Sequence, residues 1–237
     1  MGKRMNDSTK PKVLFEVWGK PMLEYVINRA IDIGSEKIII IAWFHRDKVI
    51  SFVRERFGTI SNIYFAIQEE QLGTGHAVAQ AQQSLNGFHG DIAILSWDVP
   101  VLTTKTLKKF QEFHLNRECT ASLISCKFDN PFGYGRIVRD TKENFRYIQE
   151  EKDTNDEERA ITEVNSWIYM VKCSALFETL AKIENHNAGG EFYLTDIFKI
   201  LVQRGNTIGA YVIKNAREIS GVNTIEQLHE LELAGCT

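Results

Sequence analysis

Six consecutive residues, Lys37-Ile38-Ile39-Ile40-Ile41-Ala42, constrain this chain more than any others. A short unbroken apolar run reads as a strand covered on both faces, because a strand with one wet face alternates apolar with polar residues. Amphipathic stretches flank it. Before it, Pro21 sits at a first helical position and Leu23, Val26, Ile27 and Ala30 share one face as far as Gly34. After it, Val49, Phe52, Val53 and Phe57 do the same as far as Gly58. The pattern repeats with a strand at 63–67, a helix through Ala77, Val78, Ala81 and Leu85, and a strand at 92–96. A helix through Leu107, Phe110 and His114 follows, capped by Thr103 or Thr104. Repeated strand–helix units with short loops predict an α/β fold with a mostly parallel sheet between helix layers.

The second half reads differently. Stretches 119–128, 135–139, 145–149 and 163–171 are strand-like with only turn signals between them, which predicts an embedded antiparallel part. The acidic stretch 154–159 reads as a solvated loop or a single helical turn. Helices return at 174–183 and 195–203, a strand at 208–213, and a last helix begins near Thr224. With no linker, repeat or low-complexity tract, one domain spanning 1–237 is expected, with 1–118 and 119–237 as its two parts. One element is missing from the pattern. A β-α-β sheet should open with a strand ahead of the helix at 21–34, and residues 1–12 are too polar to supply it.

Lys+Arg 28 against Asp+Glu 31 argues against a nucleic-acid surface, which would show a basic excess. Four cysteines without a C-x-x-C or a Cys/His cluster argue against structural zinc and fit reduced thiols. No apolar segment opens the chain and no run approaches the ~18 residues of a membrane span. A cytoplasmic protein without membrane contact is expected.

Phosphate-loop, H-E-x-x-H and G-x-S-x-G signatures are absent. Gly73-Thr74-Gly75 joins a strand to a helix, where glycines either let backbone N–H groups approach a phosphate or base, or simply make the turn. Asp98 follows the 92–96 strand, at the sheet end where open α/β folds bind ligands. A carboxylate there suits Mg²⁺ or caps the next turn. Arg4, Lys10 and Lys12 form either a phosphate-binding group or a solvated basic tail.

Taken in order, these segments resemble a known family. Gly2-Lys3-Arg4-Met5, Pro11-Lys12-Val13-Leu14 and Gly19-Lys20-Pro21-Met22 are similar to the front signature of sugar-1-phosphate nucleotidyltransferases. Gln68-Glu69-Glu70-Gln71-Leu72-Gly73-Thr74-Gly75-His76-Ala77 resembles the uracil-reading loop of bacterial N-acetylglucosamine-1-phosphate uridylyltransferases, and Asp98-Val99-Pro100 their metal-binding segment. Gly133-Tyr134-Gly135-Arg136-Ile137, Glu150-Glu151-Lys152-Asp153, Glu163-Val164-Asn165, the 190–196 stretch and Gly221-Val222-Asn223 follow in matching order.

The resemblance implies a Rossmann-like nucleotide-diphospho-sugar transferase fold and Mg²⁺-dependent transfer of UMP from UTP to N-acetylglucosamine 1-phosphate, releasing pyrophosphate. It implies Arg4 and Lys12 as the catalytic cations on the triphosphate. Gln68, Gln71, Gly73 and Thr74 would read uracil. Gly135, Glu150, Asn165, Tyr193 and Thr195 would hold the sugar, and Asp98 and Asn223 the metal. The partners are then small molecules, UTP and a sugar 1-phosphate, with no nucleic acid or membrane and with a monomer or small homo-oligomer. Such chemistry needs positioning and cations more than a general base, because the attacking phosphate oxygen is already an anion.

The sequence departs from the family in several places. Of its opening strand and L-A-A-G-x-G loop only Met1-Gly2 remains, so Met1 is expected to be an internal methionine of a longer reading frame. Trp97 replaces the glycine before the metal Asp, and Trp167 the glycine two after the sugar Asn. The interval from Arg4 to Lys12 is one residue longer. A β-helix acetyltransferase half, found in the bifunctional relatives, is expected to be absent. Two rival expectations are therefore transfer to another sugar 1-phosphate and a truncated relative that binds nucleotide without catalysis.

Overall fold

The computed structural model of the chain describes residues 10–235. In chain order the elements are β1 (Glu16–Val17), β2 (Lys20–Pro21), α1 (Met22–Asp32), β3 (Ile38–Ala42), α2 (Arg46–Phe57), β4 (Ile63–Ile67), α3 (Thr74–Ala79), β5 (Asp91–Ile94) and α4 (Thr104–Asn116). They continue as β6 (Ala121–Lys127), β7 (Arg136–Arg139), β8 (Phe145–Gln149), α5 (Asp156–Arg159), β9 (Glu163–Lys172), α6 (Cys173–Leu180), α7 (Asp196–Gln203), β10 (Ile208–Ile213) and α8 (Ile225–Ala234). The chain divides into two interleaved units. One comprises the chain up to Ile67, Ser96–Leu107 and the chain from Arg217 on; the other comprises Gln68–Leu95 and Lys108–Ala216.

The first unit is built around the isoleucine run. β3 pairs in parallel with β4, Ile38 opposite Ile63 through Ala42 opposite Ile67. Ile38, Ile40 and Ala42 are buried against Leu23 and Ile27 of α1 and Val49, Val53 and Phe57 of α2. Ile39 and Ile41, on the other face, are only part-buried. A hairpin, β1–β2, turns through Trp18 and Gly19, both at positive φ (49° and 74°), the pairing that a two-residue mirror-type turn requires. The Trp18 backbone N–H donates to Glu232 Oε1 at 3.1 Å and its indole to the Glu232 carbonyl at 3.3 Å, docking the hairpin on α8. Thr224 and Gln227 cap α8 reciprocally.

The second unit holds a six-stranded sheet ordered β10-β6-β9-β7-β8, with β5 also on β9. The sheet is mixed, as expected, but its parallel share is smaller. Among the described residues the parallel ladders are β3–β4 and β6–β10, whereas the long, buried β9 runs antiparallel to β5, β6 and β7. Between the pairs Leu123–Tyr169 and Ser125–Asn165 the register slips, so β9 bulges outward across 166–168. His114 of α4 is 1% exposed, with Nδ1 2.7 Å from Ser122 Oγ and Nε2 3.3 Å from Asp91 Oδ1. Among the described residues no strand precedes β1, β3 pairs only with β4, and β5 only with β9. The strand expected to open the sheet has no counterpart among them.

Candidate functional site

The first unit gathers Lys12, Asp98 and Asn223. The Val222 N–H donates to the Asp98 carbonyl at 2.9 Å, which ties the loop after β5 to the segment before α8. Gly221 lies between the two side chains. A Cβ there would sit 3.3 Å from Asp98 Oδ2 and 3.2 Å from Asn223 Nδ2, so glycine permits their approach. Lys12 Nζ donates to Asn223 Oδ1 at 2.7 Å and lies 4.6 Å above the Trp97 ring. Trp97, in place of the family glycine, is thus the floor under the lysine. Burial pushes the Asp98 carboxyl above its ordinary range. A 2.5 Å hydrogen bond from Ser96 Oγ and the nearby Lys12 charge pull it back. Arg4 lies outside the described residues.

The second unit holds the remaining candidates in two adjoining groups. Gln68, just after β4, is 5% exposed and donates from Nε2 to the Gly73 carbonyl at 3.2 Å. Gly73 has φ 116°, and a Cβ on it would lie 2.6 Å from the Phe192 carbonyl oxygen, so only glycine fits. Gln71 is exposed. The loop is zipped to the stretch before α7. Phe192 N donates to the Leu72 carbonyl, Gly75 N to the Phe192 carbonyl, both at 2.8 Å, and Leu194 N to Thr74 Oγ1 at 3.0 Å.

That stretch carries the second group. Thr195 Oγ1 donates to Glu150 Oε1 at 2.9 Å. Burial raises the Glu150 carboxyl. Thr195 pulls it down, Asp196 and Asp153 push it further up, and the Trp167 indole pulls it down. Burial, with the charges of Asp153, Glu150 and Glu191, takes the Tyr193 phenol up to about 12. Asn165 is fully buried. Its N–H donates to the Gly135 carbonyl at 2.8 Å and its amide to the Tyr169 hydroxyl at 2.7 Å, while Oδ1 accepts from Trp167 N at 3.2 Å. Trp167 itself sits on the β9 bulge at φ 56° with its ring 5.3 Å from that of Tyr134. Gly135, Glu150, Asn165, Tyr193 and Thr195 are therefore brought together, with Trp167 among them.

Two residues escaped the sequence reading. Arg136 is 1% exposed. It pairs with Glu151 Oε2 at 2.8 Å and donates to the Tyr134 carbonyl, while Gly133 N donates to the same Glu151 oxygen at 3.1 Å. It braces the 133–136 turn against the residue next to Glu150. His76 carries no role in the sequence reading, yet its ring Nδ1 lies 3.1 Å from Gln68 Nε2. In both cases the signal was present, a charged or polar residue inside a motif already singled out.

A family model described as nucleotidyl transferase matches residues 2–219, and the chain belongs to that family and is an enzyme of the nucleotidyltransferase type. It is 41% identical over 229 residues to "Bifunctional protein GlmU" of Geotalea daltonii, covering 97% of this chain and 49% of that protein. The protein of the same name from Pelotomaculum thermopropionicum is 40% identical over 231 residues, covering 98% and 49%. The chain thus spans about half the length of these curated relatives. Its fold matches a UDP-glucose pyrophosphorylase complexed with UDP-glucose at a TM-score of 0.74 and 18% identity, covering 95% of this chain and 90% of that one. HddC from Yersinia pseudotuberculosis gives 0.68 and 19%, covering 95% and 90%. These structures define the nucleotide-diphospho-sugar transferase fold of the chain.

Proposed function

We propose that the chain transfers UMP from UTP to N-acetylglucosamine 1-phosphate, giving UDP-N-acetylglucosamine and pyrophosphate, with Mg²⁺ as the metal. The observation that carries this reading is the zipper from Leu72–Gly75 to Phe192–Leu194, which sets the base-reading candidates beside the sugar-holding ones. Gln68 and the Gly73–Thr74 backbone read the base, while Glu150, Thr195, Tyr193 and the Gly135–Asn165 pair surround the sugar. Lys12 and Arg4 hold triphosphate oxygens and balance charge at the α-phosphate, where in-line attack needs positioning and cations rather than a base.

The donor set fits Mg²⁺. Among the described residues no three His, Cys, Asp or Glu side chains converge, so the site offers the Asp98 carboxylate, with the Asn223 amide oxygen shared with Lys12 Nζ, and leaves other positions to phosphate or water. A buried carboxylate held above its usual range gains from a cation beside it. Such an ion, when bound, neutralises charge on the transferring phosphate. A second reading, another sugar 1-phosphate as acceptor, is favoured by Trp167, whose ring lies against Tyr134 and whose indole reaches Glu150. Pyrophosphate release, measured with UTP against CTP and with N-acetylglucosamine 1-phosphate against unsubstituted hexose 1-phosphates, decides between them. Absence of release with every pair sinks both.

A further inference from the structure

Gln68 is held by two neighbours. Its Nε2 lies 3.2 Å from the Gly73 carbonyl and 3.1 Å from His76 Nδ1. A carbonyl only accepts, so the amide atom facing Gly73 is the nitrogen. The opposite atom, Oε1, accepts from none of the described residues and is not one of the sealed, unpaired atoms, so it stands open to an incoming donor.

The histidine fixes the same choice. A neutral imidazole carries one N–H and one lone pair. His76 Nδ1 faces Gln68 Nε2, while His76 Nε2 faces Gln80 Nε2 at 3.2 Å, and that Gln80 nitrogen also donates to the His76 carbonyl at 3.0 Å. One lone pair cannot serve two amide nitrogens. Both amides are tied to a backbone carbonyl, but Gln80 is part-buried and reached by solvent that can relieve the mismatch, whereas Gln68 is 5% exposed. The conflict therefore resolves at Gln80, and the lone pair stays on Nδ1 for Gln68.

We infer that His76 is a positioning residue for base selection, holding the Gln68 nitrogen inward so that Oε1 faces the N3–H of a uracil base. The inference rests on the reading of this loop as the base site. Uracil presents a donor at N3, which Oε1 accepts. Cytosine presents a lone pair there, which meets Oε1 as one acceptor against another. Turning the amide over would reverse the preference, so whatever fixes the amide fixes the base. Loss of the imidazole leaves the Gly73 carbonyl as the sole constraint and frees the side chain to sample the inverted form.

The test is the ratio of kcat/KM for UTP to that for CTP at saturating sugar 1-phosphate, in wild type, His76→Ala and His76→Asn. An asparagine oxygen can stand where Nδ1 does and keep an acceptor for Gln68. His76→Ala is expected to lower the ratio by roughly three- to tenfold, the scale of one lost hydrogen bond, with the change in the nucleotide KM and not in the sugar phosphate KM. His76→Asn is expected to retain the ratio. Equilibrium binding of UTP and CTP reads the same ratio where turnover of a variant is too slow. A wild type without UTP preference overturns the base reading itself. A wild-type preference that His76→Ala leaves intact, or that both variants lose equally, overturns the role of His76 alone.

Discussion

Lys12 Nζ donates to Asn223 Oδ1 at 2.7 Å, joining residues 211 positions apart. The bond fixes a cation next to a carboxylate that burial has made costly to ionise. Because Asp98 holds its proton more tightly folded than unfolded, its contribution to stability is full below the ordinary carboxylate range. It is lost as pH rises through the raised folded value. Asp98→Asn should match wild type at about pH 4 and exceed it near pH 8 in magnesium-free buffer, read by chemical denaturation. Its metal-dependent turnover should fall on the order of a hundredfold. A variant less stable than wild type near pH 8 contradicts the account.

The Arg136–Glu151 pair makes a sharper stability prediction. Arg136 is buried and Glu151 is its only counter-charge at 2.8 Å among the ion pairs described. Glu151→Ala strands that charge and should cost about 3–5 kcal/mol. Arg136→Met, which removes the charge and keeps the bulk, should cost far less. Urea midpoints measure both, and equal losses would argue against an uncompensated charge.

Trp167 is held at φ 56°, a conformation that costs a non-glycine residue about 1–2 kcal/mol. Trp167→Gly relieves that strain while losing the ring contact with Tyr134; Trp167→Ala loses the contact and keeps the strain. The glycine variant should therefore be the more stable of the two by about 1 kcal/mol. Removing the indole also frees Glu150 for a sugar hydroxyl, so the KM for N-acetylglucosamine 1-phosphate should fall and that for UTP should not. Steady-state kinetics of the glycine variant would refute this by moving the two constants together.

Gly73→Ala places a Cβ 2.6 Å from the Phe192 carbonyl oxygen at φ 116°. The backbone must shift, at a cost of at least about 1–3 kcal/mol. The KM for UTP should rise more than kcat falls, because the base loop moves and Lys12 does not.

Signals that are local in sequence were legible. The strands Ile63–Ile67, Phe145–Gln149 and Ile208–Ile213 were read at their true bounds, because alternation and flanking turns define them. The acidic stretch proved to be a single helical turn, Asp156–Arg159, capped by Asn155. The β1–β2 hairpin was not legible, since Trp18 holds a positive φ that sequence rules reserve for glycine and asparagine. The pairings of His114 and Arg136 were not legible, because their partners Ser122, Asp91 and Glu151 become neighbours only in the folded sheet. Asn165 and Glu150 were singled out from their motifs, but their engagement by Tyr169, Thr195 and Trp167 depends on the β9 bulge, which no spacing announces.

The unit that carries Lys12 and Asp98 is stitched from three separate stretches of chain, the last starting at Arg217. A ribosome delivers these stretches in order, with the whole continuous block Lys108–Ala216 emerging between the second and the third. Asn223 and the Glu232 anchor for the hairpin emerge after that block, so the Lys12 clasp closes after the strands of the sugar-side sheet are complete. The sugar-side sheet has all its strands in hand earlier. Birth order thus separates the two groups of candidate residues, and a polypeptide released before Arg217 would keep the candidate sugar residues while lacking Asn223.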